Sequence, residues 1–396
     1  MSKLGVRTYF SPNGIGYGHV GRCQPIAREL ERRGAEILFS TYLDGIEYVK
    51  NLGYALVESP SMQFSVDYNG EVDFKRSTIQ TPTIVPRFIV QVNAEIENLR
   101  RFAPDIVVSD SRMSTVVAAK ALDIPCITIL NQFLPIVPRR TRYLTLSKIA
   151  DGTLMTLLGD GWGLSDRILI PDFPPPNTIS LANLRIPRRY QAIVRHVGAL
   201  LPSSIHDLRK PREIRDELSL PESRKLVLAG ISGPREERER LIIVLDELFS
   251  SFPDSYHVLM SLGDINGVHS QTTTARNFSK TSWLMNRLDY LNASELVISR
   301  AGHGTIMQSI ALGKPSILIP TPGHTEQYSN ARRAQELGVA VAIPQEELTR
   351  ERLLSEVDRI IQNNEYGNNA KRLSQFDAGE GVSNAVEEII DLAKRR

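Results

Sequence analysis

Cysteine is nearly absent from this chain of 396 residues; Cys23 and Cys126 are the two it has. They offer neither a disulfide framework nor metal-ligand spacing, which excludes a small stapled secreted domain and points to a reducing cytoplasm. No apolar run approaches the roughly 20 residues that cross a bilayer. The N-terminus, Met1 to Gly5, enters a strand directly and lacks the apolar core of a signal peptide. There is little net charge: the formal value is +2, with residues 1–200 at +5 and 201–396 at −3. That is far too small an excess to argue for nucleic acid, although it favours an anionic surface near the first half. No Asp-x-Asp and no His/Cys/Asp cluster at ligand spacing occurs, so no metal is expected. Short-period repeats and low-complexity tracts are missing too.

What is present has the balance of an ordinary globular protein, 41% hydrophobic and 23% charged. Its length exceeds one ordinary core and implies two domains. Short β-branched runs alternate with helical segments. In the first half, strands are predicted at Val6 to Phe10, Glu36 to Ser40, Ile106 to Ser109, Cys126 to Leu130 and Arg167 to Ile170, with a helix from about Val20 to Arg33. The pattern restarts at Lys225 to Ala229, with an amphipathic helix over Glu236 to Phe249. Strands follow at His257 to Met260, Leu296 to Ser299, Ser316 to Ile319 and Ala340 to Ile343. Such alternation predicts α/β architecture with parallel sheets wrapped on both faces. Ala199 to Pro221, with three prolines and many charges, reads as the connector. The expected division is 1–200, a linker over 201–221, and 222–381, with a final helix in 382–396 bracing the first domain.

The stretch from Ser299 to Ala331, SRAGHGTIMQSIALGKPSILIPTPGHTEQYSNA, carries the most chemistry. A buried strand leads into a turn with Gly302 and Gly304, which permit a sharp bend and close approach of a ligand. A helix opening near Thr305 then presents free N–H groups and a positive dipole end, a natural phosphate site. A second buried strand delivers the loop Thr321 to Gln327. In the first half, Ser11-Pro12-Asn13-Gly14-Ile15-Gly16-Tyr17-Gly18-His19 follows the first strand. It superficially suits the dinucleotide fingerprint, but Ser40-Thr41 stands where that motif places an acid at the end of the second strand.

The Ser299 to Ala331 segment resembles the donor-binding signature of GT-B nucleotide-sugar glycosyltransferases, above all MurG-like enzymes and, more distantly, small-molecule UDP-glycosyltransferases. Gly302, Thr305, Glu326, Gln327, Asn330 and Ala331 fit it in order and spacing. Gln308 departs from it, standing where the family has a Glu that accepts from both ribose hydroxyls. The resemblance implies two doubly wound Rossmann-like domains facing across a cleft (GT-B). Their ligands bind outside the carboxyl ends of the strands. It further implies a metal-independent, inverting glycosyltransferase with no resident cofactor, using a nucleotide-sugar co-substrate, in the first instance a UDP-sugar.

By the same resemblance, the first loop matches the Gly-rich loop of MurG-like enzymes, making Gly16 and Gly18 donor-side candidates and His19 the general base. An imidazole suits that task because its ordinary pKa is near 6.5, and a helix N-terminus disfavours its protonation; helix capping or packing against Tyr17 is the plain alternative. Ser232, in Gly230-Ile231-Ser232-Gly233, is a candidate for a phosphate oxygen, against an ordinary strand-to-helix turn. Arg300 is expected either to neutralise the departing diphosphate or to sit in a surface salt bridge. His303 is expected to act through its backbone N–H, Glu326 and Gln327 through the donor sugar's hydroxyls, and Asn277-Phe278-Ser279 by holding the base.

On the acceptor side, Phe133 to Leu158 joins the basic knot Arg139-Arg140-Thr141-Arg142 to an apolar helical stretch. Such a segment suits a peripheral membrane contact or a lipid-linked hydroxyl acceptor, and it suits an ordinary core helix equally well. Asp172 to Pro176 reads as a stiff extended segment. Asp110 ends a strand and either points toward the site or caps the next helix. The competing functions are a non-hydrolysing sugar-nucleotide 2-epimerase and a non-catalytic nucleotide-sugar-binding subunit. The expected location is the cytoplasm, at most peripheral to the membrane.

Overall fold

The structure, a computed structural model, describes residues 5–61, 81–133, 158–265, 267, 272–376 and 379–395. It divides into two compact units: one holds the chain up to Leu200 together with the C-terminal segment from Glu380, the other runs Leu201–Gly379.

The first unit is built on a seven-stranded sheet in the order β3-β2-β1-β4-β5-β6-β7. Its strands are β1 (Arg7–Pro12), β2 (Glu36–Thr41), β3 (Leu56–Glu58), β4 (Ile106–Asp110), β5 (Cys126–Ile129), β6 (Arg167–Ile170) and β7 (Val194–His196). The helices between them include α1 (Gly18–Arg32), α2 (Asp44–Leu52), α3 (Thr81–Phe102) and α4 (Met113–Ala121). Every pairing is parallel. β4 is buried along its whole length, as a strand covered on both faces must be. Because side chains alternate across a strand, neighbours enter different cores. Phe10 and Val108 pack with Ile26 and Leu30 of α1, while Tyr9 and Val107 pack on the other face with Leu99 and Val116.

The second unit repeats the plan with a seven-stranded sheet, β10-β11-β9-β8-β12-β13-β14. The strands are β8 (Lys225–Gly230), β9 (Tyr256–Ser261), β10 (Thr272–Ala275), β11 (Phe278–Thr281), β12 (Leu296–Ser299), β13 (Ser316–Leu318) and β14 (Ala340–Ala342). Its helices are α5 (Pro211–Glu217), α6 (Arg235–Ser250), α7 (Arg287–Ala293), α8 (His303–Ala311), α9 (Thr325–Glu336), α10 (Arg350–Gln362) and α11 (Glu365–Ser374). On α6, Leu241, Leu245 and Phe249 recur every fourth residue and bury a single stripe against Val258, Met260 and Phe278. The segment that reads as a connector contains α5, whose Ile214 is buried. β10 and β11 lie outside the predicted strands; they are short, and β10 pairs antiparallel at the sheet edge, where the parallel pattern of buried runs does not extend.

The last helix, α12 (Gly381–Ala393), belongs to the first unit. Val386, Ile389 and Ile390 join the core beside α1, a burial that contributes about 1.5–3 kcal/mol per side chain. Arg167 binds Glu388 and Asp391, and Asn384 Nδ2 donates to the Val197 carbonyl at 3.1 Å. Among the described residues, no helix is long and apolar enough to cross a membrane.

Candidate active site

In each sheet the chain leaves a central strand toward opposite edges, and the crevice at that reversal is where ligands of doubly wound sheets bind. In the first unit the reversal lies between β1 and β4, whose last residues, Pro12 and Asp110, are in register. The Gly-rich loop starts at that point. A Cβ on Gly14 would lie 1.8 Å from the Tyr42 carbonyl oxygen, so only glycine fits there. Gly16 has φ +66° and donates its N–H to Asp44 at 2.8 Å. Gly18 opens α1 with free space where a side chain would stand.

His19 is the next residue, in the first turn of α1, and its Nδ1 lies 2.7 Å from Asp110 Oδ1. A carboxylate only accepts, so Nδ1 carries the hydrogen and Nε2 keeps the lone pair. Asp110 is fully buried, whereas the His19 side chain keeps 27% of its exposure and so meets solvent. Burial pushes the Asp110 carboxyl up, but Arg22 and then His19 outweigh it and bring the group down to about 2. Asp110 therefore does not cap α4, which begins at Met113 after an Arg112 that makes no side-chain cap bond. Arg22, absent from the predicted site residues, lies on the same carboxylate. An i, i+3 spacing from His19 was the available signal, but the carboxylate it serves is 88 residues away.

In the second unit the reversal lies between β8 and β12, where Gly230 pairs with Ser299. The loops after β8, β12 and β13 meet at this edge and carry the predicted donor residues other than Gly16 and Gly18, which lie in the first unit. The helix expected near Thr305 opens earlier, with Gly302 as N-cap. Gly302 has φ −68° and ψ 133°, a conformation open to any residue, so a sharp turn is not the reason for this glycine. A Cβ at Gly302 or at Gly304 would meet nothing within 4 Å. What these glycines provide is open space above a helix start that has no side-chain cap and no acid in its first turn. The His303 side chain is buried, and Thr305 is half-buried in the same turn.

Arg300 departs from both expectations. Its guanidinium turns inward, donating to the carbonyls of Ile319 at 3.2 Å, Pro320 at 3.3 Å and Glu237 at 2.7 Å. It is buried rather than in a surface salt bridge, and burial lowers its pKa to about 10 against the opposing charge of Glu237. Thr321 extends the tie through its Oγ1, which donates to Glu237 Oε2 at 3.2 Å. Ser232 is half-buried in the loop beside this knot.

Gln327 accepts the Thr321 N–H at 2.9 Å, so its oxygen shapes the loop, while Glu326 stands half-buried in the first turn of α9. Asn330 Nδ2 donates to the Ala301 carbonyl at 3.3 Å, and Ala331 is buried beside it. The Gln308 oxygen accepts from Arg287, so the group expected to receive ribose hydroxyls is already bonded. Asn277, Phe278 and Ser279 are buried, and Asn277 Nδ2 bonds the Phe252 carbonyl at the start of β11, the wrong end of the strand for a base. At the other end, Thr281, Trp283, Leu284 and Met285 help line a cavity of about 260 Å³. Asp172 proves to be a loop anchor: it accepts from the N–H groups of Phe173, Ile179 and Ser180. Of the acceptor-side segment, residues 134–157 lie outside the described residues.

Two family models match this chain: "Glycosyl transferase family 1" over residues 6–145, and "Glycosyltransferase family 28 C-terminal domain" over 239–389. The first covers His19 and Asp110, the second α8 and the Glu326-Gln327 loop. The chain is a glycosyltransferase of the GT-B type. An uncharacterized glycosyltransferase of Methanosarcina acetivorans is 28% identical to this glycosyltransferase over 367 residues, 92% of each chain. The UDP-N-acetylglucosamine–N-acetylmuramyl-(pentapeptide) pyrophosphoryl-undecaprenol N-acetylglucosamine transferase of Bacillus licheniformis is 28% identical, spanning 98% of this chain and 100% of its own. Among solved structures, the calicheamicin glycosyltransferase CalG4 superposes with a TM-score of 0.68 at 18% identity, covering 99% of both chains. That likeness bears on the fold alone.

Proposed function

We propose that this glycosyltransferase moves a sugar from a nucleotide diphosphate, in the first instance UDP, to a hydroxyl acceptor with inversion at the anomeric carbon. The acceptor hydroxyl gives its proton to His19 Nε2 as its oxygen bonds to the anomeric carbon. The bond from that carbon to the diphosphate oxygen breaks in the same displacement, which inverts the centre. Charge gathering on the leaving diphosphate is met by the main-chain N–H groups at the start of α8, where Gly302 and Gly304 leave room, with no metal ion required in this reading. Ser232 and Thr305 are the neighbouring hydroxyl donors, and Glu326 orients the sugar. The 260 Å³ cavity beside Trp283 replaces Asn277 to Ser279 as the place for the base.

The observation that carries this reading is the His19–Asp110 pair at the reversal of the first sheet. A buried carboxylate behind a partly exposed imidazole fixes the tautomer a general base needs. A lipid-linked acceptor is the leading candidate because the Bacillus licheniformis relative's name specifies an undecaprenol-linked acceptor. The test is turnover of His19→Ala with donor binding measured alongside. Turnover is expected to fall on the order of 10²-fold or more with donor affinity kept; wild-type turnover rules out the base assignment. A thermal-shift panel of nucleotide sugars identifies the donor, since a ligand at 100 times its dissociation constant stabilises by about 2.7 kcal/mol.

A further inference from the structure

Asp110 takes its partners from one face of α1. Among the described residues, its carboxylate accepts from His19 and Arg22 and faces the Cys23 thiol at 3.7 Å, positions spaced i, i+3 and i+4 on the helix. Arg22 grips both carboxylate oxygens, through Nε and Nη2. The same guanidinium reaches Asn131 Oδ1 at 2.6 Å and Ser111 Oγ at 3.2 Å, which fixes its plane. Its Nη2 also lies 3.2 Å from His19 Nδ1. Because Nδ1 already carries the hydrogen given to Asp110, that approach sets a cation beside the imidazole rather than adding a bond to it.

We infer that Arg22 is a positioning residue: it holds the Asp110 carboxylate in the orientation that takes the Nδ1 hydrogen of His19, and it opposes a second positive charge on that ring. This rests on His19 being the base. A lone buried carboxylate at 2.7 Å would bind imidazolium more strongly than imidazole and so hold the base in its spent form. A guanidinium on both oxygens balances that charge while leaving the orienting bond in place. Among the described residues the neighbourhood supplies little else to do so. On α1 the other titratable group facing Asp110 is Cys23, whose thiol is pushed well up by burial and then by Asp110 itself. The loop after β5 contributes the neutral Asn131. On α2, Asp44 is engaged by the Gly16 N–H, and Tyr48 stacks on Tyr17.

The test is the pH dependence of kcat/KM in Arg22→Gln and Arg22→Lys, with histidine Cε1 resonances followed by NMR on the same proteins. The His19 resonance is assigned by its loss in His19→Ala. In Arg22→Gln the acid limb is expected to move up by about one pH unit, because the Asp110 carboxylate, no longer balanced by the guanidinium, is then an unopposed opposite charge within a few ångströms of the ring. Arg22→Lys restores a charge without the fork, so its limb returns toward wild type while its plateau rate stays below it. A limb and a His19 titration in Arg22→Gln that superimpose on wild type overturn the inference. The NMR titration decides it even in a variant with no turnover, and Arg22→Met, which also removes the charge, serves where Arg22→Gln fails to fold. Full activity in His19→Ala would instead strike the base assignment, a separate result from any of these.

Discussion

The guanidinium of Arg300 donates to the backbone carbonyl of Glu237 across 2.7 Å, which ties the loop after β12 to the first turn of α6. The same group serves the carbonyls of Ile319 and Pro320, so three chain segments that frame the candidate donor site meet on one side chain. Arg300→Met leaves those carbonyls without their donor in a buried setting. Stability should fall by about 2–4 kcal/mol in urea unfolding, and nucleotide-sugar affinity should weaken with it. A purely phosphate-facing arginine would give the opposite outcome, lost affinity at unchanged stability.

Glycine at 304 weakens the first turn of α8, since glycine costs a helix roughly 1 kcal/mol relative to alanine. Nothing in the fold needs that glycine, because a Cβ there meets open space. Gly304→Ala is therefore expected to raise stability by about 0.5–1 kcal/mol while weakening donor binding tenfold or more. The paired measurement is thermal unfolding and calorimetric titration of the same protein. Gly14→Ala makes the contrast: its Cβ would strike the Tyr42 carbonyl, so it should destabilise the first unit outright.

Asp110→Asn removes the charge but nearly keeps the shape. With an amide beside Nδ1, the imidazole is no longer forced into the tautomer that leaves Nε2 free. Turnover should drop on the order of 10²-fold or more, with donor affinity within about twofold of wild type because the proposed donor site lies in the other unit. Steady-state kinetics beside a binding titration reads this directly. Unchanged kcat would mean that the pair is merely structural.

His257 sits on β9 with 5% of its surface exposed, and neither ring nitrogen has a hydrogen-bond partner among the described residues. Burial, then the nearby Arg224 charge, lowers its pKa to about 4. The folded protein therefore prefers the neutral ring, and the unfolded chain takes up the proton first as pH falls. The stabilisation is complete above about pH 6.5 and is lost as pH drops toward 4. After allowance for solvent screening, the loss is on the order of 2 kcal/mol. Chemical denaturation at a series of pH values should show that slope in wild type and a flatter one in His257→Phe, which should also be the more stable protein at pH 5. Equal slopes would refute the assignment.

Much of this was written locally. Runs such as Ile106 to Ser109 and Leu296 to Ser299 announce fully covered strands because their neighbours on both faces are apolar. The spacing of Leu241, Leu245 and Phe249 likewise announces the buried stripe of α6. His19 stood out because it closes a Gly-rich loop directly after a strand. The errors came where a side chain chooses among distant partners. Arg300 looked like a group facing solvent or phosphate, since nothing nearby reveals that carbonyls at 237, 319 and 320 await it. The bond from Arg287 to Gln308 was equally hidden, because the two lie 21 residues apart. β10 escaped because it is a short antiparallel edge, where neither burial nor alternation leaves a strong mark.

The sequence by itself determined the longer buried strands and amphipathic helices, since those depend on periodicity and on glycine and proline punctuation over a few residues. It also determined that glycine-opened helix starts follow β1 and β12, where N–H groups are left without intrahelical partners. Only the tertiary structure decided that Asp110 stands behind His19 and that Arg22 grips it. That arrangement requires β4 to lie beside β1, a pairing fixed by how two faces of a sheet are covered. A buried charge can settle only where folding brings its counter-charge, and that geometry is a property of the whole unit.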